Sequence, residues 1–199
     1  MARSSKKAEA PAEIPIVPFA DQAAWNKWLD KHHATSPGIW IHFAKKGSGI
    51  PSVSYHEALD VALCYGWIDS QKKGYDEKTF LQKFTPRGTR SIWSTINREK
   101  ALSLIDSGRM MPAGLAQVER AKSDGRWEAA YAPQSTIEVP DDLRAALDAS
   151  PRAAKFFTTL TSQNRYAILF RVHNAKRAET RAKRIADFVA MLERHETIH

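Results

Sequence analysis

The apolar residues of this chain keep two periods in its first half and one in its second, and that switch bounds the fold. Residues 38–44 (GIWIHFA) alternate Ile39, Ile41 and Phe43 against Trp40 and His42, the period of a strand with one buried face. Residues 67–71 and 79–85 read as two more strands, joined by a turn region over 72–78 that holds Gly74 and Asp76. Residues 14–19 are short and β-branched. Pro15 and Pro18 cannot donate ladder hydrogen bonds, so this segment is an edge strand at best. Helices separate the strands. Asp21 precedes Trp25, Trp28 and Leu29, which fall at i, i+3 and i+4 on one stripe. Ser54-Tyr55-His56-Glu57 is a capping box ahead of the apolar run 58–65, which Gly66 closes. The order is β-α-β-α-β-β, an α+β fold with a small mixed or antiparallel sheet.

Beyond Arg90 only the helical period survives. Ser94 is a predicted N-cap, with Ile96, Leu102 and Ile105 on the inside and Gly108 at the C-terminal turn. Pro112 suits a first helical turn, ahead of Leu115, Val118 and Ala121. Residues 132–136 read as a linker. Helices are then predicted over 141–149, 151–160, 162–174 and 175–194. In the last, Ala178, Ala182, Ile185, Val189 and Leu192 form a seam flanked by Arg177, Arg181 and Arg184. This predicts a mobile tail over residues 1–13, an α+β domain over 14–133 and a helical module over 134–199.

The chain has 199 residues, 30 basic against 22 acidic, a net charge of +8 and a pI near 9.6. Such a balance invites an anionic partner. The excess is local, however: between Arg165 and Arg184 seven basic residues face Glu179 alone. No apolar run approaches the ~18 residues that span a bilayer, and residues 1–14 carry no secretory apolar core. The single cysteine, Cys64, excludes an intramolecular disulfide and a multi-cysteine zinc site. The expected compartment is the cytoplasm. Of the seven histidines, His195 and His199 have the i, i+4 spacing that could chelate if helical, but they lie at a frayed terminus, and neither a metal nor another cofactor is expected.

Two stretches carry a family resemblance. The matching positions are Gly66-Trp67-Ile68-Asp69, Phe84-Thr85-Pro86-Arg87, Ser91, Trp93-Ser94, Asn97, Gly108-Arg109-Met110 and Pro112-Ala113-Gly114. Together they resemble the signature of the YdeI/OmpD-associated family, the bacteriocin-protection proteins. From about Val139, the segments Ala175-Lys176-Arg177, Glu179-Thr180-Arg181 and Arg184-Ile185 are similar to that family's C-terminal helical module. One departure is Arg171-Val172-His173-Asn174, where the module commonly has an aromatic-Ile pair. The resemblance implies a bacterial stress or antimicrobial-peptide protection protein with no assigned catalytic residues and no cofactor.

Two surfaces are candidates for function. The first is a pocket of Trp67, Asp69, Arg87, Trp93, Ser94 and Asn97. There Arg87 and helix-end amides would hold a small anion, with Asp69 orienting Arg87. The same residues have structural uses: an Asp69–Arg87 pair satisfies a buried carboxylate, Ser94 caps a helix, and tryptophans pack. The second is the basic face Arg177, Arg181 and Arg184, directed at a polyanion or an acidic protein partner. An enzyme using Asp69 as acid or base beside Arg87 is the competing class. Nonspecific nucleic-acid binding through the basic C-terminal helices is the third, although no recognition motif accompanies the charge. Lys45-Lys46-Gly47-Ser48-Gly49 has the flavour of a phosphate loop but lacks its spacing, and it reads as a turn.

Overall fold

A computed structural model describes residues 13–199; the tail expected over residues 1–13 lies, but for Glu13, outside the described residues. The chain divides into two compact units, one running up to Ser91 together with Lys100–Ala121, the other made of Ile92–Glu99 and Lys122–His199.

The first unit begins β1 (Ile16–Pro18), α1 (Gln22–His32), β2 (Ile39–Ala44), α2 (Tyr55–Cys64), β3 (Trp67–Gly74) and β4 (Thr79–Pro86). The sheet order is β1-β2-β4-β3, with β1 parallel to β2 and the other pairs antiparallel. The α+β class and the β-α-β-α-β-β order are as the periods predict. The prolines leave β1 as a three-residue edge strand. α1 is the crossover that a parallel β1–β2 pair requires. Ile39, Ile41, Phe43 and Phe84 are sealed from solvent. Trp25 of α1 packs on Phe84 at 5.8 Å between ring centroids, and its indole N–H donates to Ala58 O of α2 at 3.0 Å. Both helices therefore cover the Phe84 face of the sheet. The capping box of α2 is present: Glu57 N donates to Ser54 Oγ, and Ser54 N donates to the Glu57 carboxylate. The Ser54 hydroxyl holds the Glu57 carboxyl below the usual carboxylate range.

β3 runs three residues further than the pattern suggests. Asp69 pairs with Phe84 but Lys72 pairs with Gln82, so three steps on β3 oppose two on β4. This bulge resets the alternation. Asp69 and Lys72 both fall on the helix-covered face, and Lys73 falls on the other.

α3 (Thr95–Asp106) begins in the second unit and ends in the first, where α4 (Pro112–Ser123) follows. Their inward residues correct the sequence expectation. Ala101 and Leu104 are buried in α3, and Gly114, Val118 and Ala121 in α4, whereas Ile96, Leu102 and Leu115 are each more than a third exposed. Large apolar residues sit on both sides of these helices, and the small ones decide which side can approach the rest of the unit.

The second unit holds α5 (Asp141–Asp148), α6 (Pro151–Thr159), α7 (Ser162–His173) and α8 (Ala178–Glu193) around a core that includes Leu143, Phe157, Ile168, Val172, Ile185 and Leu192. α8 starts at Ala178 rather than at 175, because Arg177 is extended (φ −89°, ψ 132°). Of its predicted seam, Ile185 and Leu192 are buried and Val189 packs alongside, but Ala178 and Ala182 are exposed. No described helix is long and apolar enough to cross a membrane.

Candidate functional site

The six residues of the predicted pocket fall into two groups. Trp67, Asp69 and Arg87 belong to the first unit; Trp93, Ser94 and Asn97 belong to the second. Trp67 opens β3 and is 1% exposed. Its indole N–H donates to His33 O at 3.1 Å, and its ring meets Trp25 and Trp28 edge-on at 6.3 and 5.9 Å. Asp69 is half-buried and accepts a hydrogen bond from the Tyr55 hydroxyl at 2.9 Å. That bond ties β3 to the first turn of α2. Arg87 is buried just past β4, and its backbone N–H donates to Gly66 O at 2.9 Å.

In the second group, Ser94 is buried and its hydroxyl accepts from Asn97 N at 3.1 Å, capping α3. The strip around it bridges to Tyr131: Tyr131 N donates to Trp93 O at 3.0 Å, and Thr95 N donates to Tyr131 O at 2.9 Å. Trp93 is 2% exposed and meets Trp127 edge-on at 4.9 Å. Both tryptophans of the candidate pocket thus offer no open ring face.

The basic face is partly consumed by the helical module. Arg181 forks onto Asp142, with Nη2 at 2.8 Å, and its Nη1 donates to Val172 O at 2.8 Å. Arg184 Nη1 donates to Arg171 O at 2.5 Å. Two arginines of α8 therefore satisfy carbonyls in the last turn of α7, where cations are favoured. Arg177 precedes α8 without a side-chain cap bond and is exposed. The Arg181 guanidinium holds the Asp142 carboxyl below its usual range. A depressed carboxyl contributes stability that is present above the unfolded value, about 4, and lost as pH falls through the folded one. Asp142→Asn should accordingly lower stability by about 1 kcal/mol at pH 7, and by progressively less as the pH is lowered below the ordinary carboxylate range, read from thermal unfolding across a pH series.

The sequence missed an opening in the first unit. A cleft of about 860 Å³ lies over the sheet end beside α2, lined by residues 43–50, 52–56, 72, 74 and 80. Phe43 and Phe80, stacked at 5.2 Å, make its apolar wall with Ile50. Lys45, Lys46, Lys72 and His56 supply its cationic and proton-bearing groups, and among the described residues no carboxylate belongs to its lining. Lys45 Nζ is held by Asp76 O and Glu77 O at 3.1 and 3.0 Å, and Lys72 Nζ lies 4.4 Å from the Phe80 ring centroid. The bulge is what turns Lys72 toward this cleft. The signal available in the sequence was Lys45-Lys46-Gly47-Ser48-Gly49, whose spacing matches no phosphate loop.

Cys64 is buried, and burial raises its thiol above the ordinary value, which disfavours a nucleophilic thiolate. Among the described residues no group of three or more His, Cys, Asp or Glu is arranged to hold a metal ion.

Compared with known proteins, residues 17–117 match the family described as a domain of unknown function (DUF8412). Residues 136–195 match the family described as "Bacteriocin-protection, YdeI or OmpD-Associated". No curated protein and no solved structure matches the chain.

Proposed function

We propose, for a chain that belongs to the DUF8412 domain family and closes with a YdeI or OmpD-associated bacteriocin-protection module, that it is a non-enzymatic protection protein acting by binding an anionic ligand. The observation that carries this reading is the cleft beside α2. It combines an apolar wall of Phe43, Ile50 and Phe80 with Lys45, Lys46, Lys72 and His56, and no carboxylate among the described residues lines it. Such a cleft fits a molecule with a phosphate or carboxylate head and an apolar or planar body. Binding, rather than catalysis, is favoured because the acid/base candidate Asp69 is engaged by Tyr55 and is not among the cleft residues. The cleft is preferred to the pocket of Trp67, Asp69, Arg87, Trp93, Ser94 and Asn97 because the rings of Trp67 and Trp93 are packed away, the Ser94 hydroxyl caps α3 and Asp69 is bonded to Tyr55. The helical module with Arg177 at its exposed corner is then the element for a protein partner. The reading places the protein in the cytoplasm, where a lone buried thiol stays reduced.

A ligand-stabilisation screen with inorganic phosphate, nucleotides, sugar phosphates and fatty acids tests it. At least one anion should raise the melting temperature in a concentration-dependent manner, by the stabilisation that a hundredfold excess over Kd confers, about 2.7 kcal/mol. The double substitution Lys46→Glu, Lys72→Glu should abolish that shift and, in cells, the protection against bacteriocin. A flat response across the panel, or a shift insensitive to both lysines, would overturn the assignment of the cleft.

A further inference from the structure

The sheet face opposite α1 and α2 is consumed by the fold only in part: Leu81 and Thr79 are buried on it, but the side chains around them reach the surface. Ile39, Ile41, Phe43 and Phe84 point inward, so Trp40, His42 and Lys83 emerge on the other side, Trp40 directly opposite Lys83 across β2 and β4. The bulge adds Lys73 to this face, and Tyr75 follows at the hairpin end. Lys73 Nζ stands 4.4 Å from the Trp40 ring centroid and Lys83 Nζ 5.9 Å. The His42 ring lies 4.6 Å from that of Tyr75, and Tyr75 is 56% exposed. His42 Nε2 is enclosed with no hydrogen-bond partner among the described residues. No Asp or Glu occupies a strand position of this face, because the one carboxylate of the strands, Asp69, pairs with Phe84 on the opposite side.

We infer that this face binds single-stranded nucleic acid, with bases stacked on Trp40 and Tyr75 and phosphates held by Lys73 and Lys83. Two requirements meet here. A ring on a central strand and a second ring at the hairpin give platforms for successive bases, which stack whatever their identity. The two ammonium groups rest against Trp40 when nothing else does so, attracted by its π-face. An incoming base takes the ring face and presents a phosphate to the ammonium group it displaces. A duplex does not satisfy the site, since its bases are already stacked and paired. An acidic peptide would meet the lysines but leave the rings unused. The site is separate from the cleft of the proposed function: Lys72 and Lys73, as neighbours on a strand, point to opposite faces, and the bulge sets which of them faces the cleft.

Fluorescence anisotropy with labelled twelve-residue oligodeoxythymidine and oligouridine, using the full chain, tests the inference. Saturable binding at 50 mM salt should weaken about sevenfold at 200 mM, the dependence expected for two phosphate contacts on a single strand. Lys73→Ala with Lys83→Ala should remove that salt dependence. Trp40→Phe should retain affinity, while Trp40→Ala and Tyr75→Ala should each weaken binding about tenfold. Trp40 is partly buried, so the exposed Tyr75 keeps the test valid if Trp40→Ala unfolds. Lys46→Glu, in the cleft, should leave oligonucleotide binding intact, which separates failure here from failure of the cleft. Three results would overturn the inference: no binding at 50 mM salt, binding that ignores Lys73, Lys83 and Tyr75, or equal competition by a duplex or by polyglutamate.

Discussion

Gly114→Ala is expected to destabilise the first unit by about 3 kcal/mol, the upper range for forcing extra atoms into packed structure. Helix propensity predicts the opposite sign, since alanine outranks glycine inside a helix by about 1 kcal/mol. The geometry decides between them. A Cβ at position 114 would stand 2.6 Å from Leu63 O and closer still to Cys64 O and Met110 Sδ. Two of those atoms are backbone carbonyls at the end of α2 and cannot rotate away. Nearby, Met111 N donates to Cys64 O at 3.2 Å, so the start of α4 and the end of α2 are joined where the glycine lies. Gly66 faces the same junction: its φ of +73° is left-handed, and a Cβ there would meet Ala113 O at 2.8 Å. Gly74, whose Cβ would meet nothing within 4 Å, is the control and should change by less than about 0.5 kcal/mol on substitution by alanine. Urea midpoints for the two variants check the argument. A Gly114→Ala protein as stable as the parent would mean that α2 and α4 are not in close backbone contact.

That junction explains why the family signature could be read without its purpose being visible. Gly66-Trp67 and Pro112-Ala113-Gly114 stand far apart in sequence, and nothing local marks them as facing each other. What was legible depended on local chemistry. The Ser54–Glu57 box and the Ser94 cap are satisfied within one helical turn, and both form as predicted. The alternation of Ile39, Ile41 and Phe43 also survives, because β2 is central and must bury one face. Non-local features were not legible. The bulge between Asp69 and Lys72 leaves no mark in composition, yet it decides which lysine faces which side. The use of Arg181 and Arg184 on α7 carbonyls depends on where α8 begins, and an extended Arg177 moved that start by three residues. The cleft was hidden for the same reason: its lining gathers a loop read as a turn, the first turn of α2 and a lysine turned inward by a bulge.

Trp67→Ala should cost about 4 kcal/mol, as truncating a buried tryptophan leaves a cavity lined by groups that cannot close over it. The ring is 1% exposed and sits edge-on against Trp25 and Trp28, so both neighbours lose a packing partner at once. Trp67→Phe should cost about 2 kcal/mol, because it keeps most of the contact but leaves His33 O without its indole donor. The pair of variants separates two roles that the sequence could not distinguish. If Trp67 is a packing residue, Trp67→Phe lowers the unfolding midpoint while the folded protein keeps its affinity for the anion that stabilises it. If Trp67 stacks on a ligand, affinity falls with little change in the midpoint. The geometry requires the first outcome: a ring closed off on both edges and hydrogen-bonded at its nitrogen has no face left for a ligand to reach, whereas Trp40, on the other side of the sheet, is partly exposed with Lys73 and Lys83 against its ring.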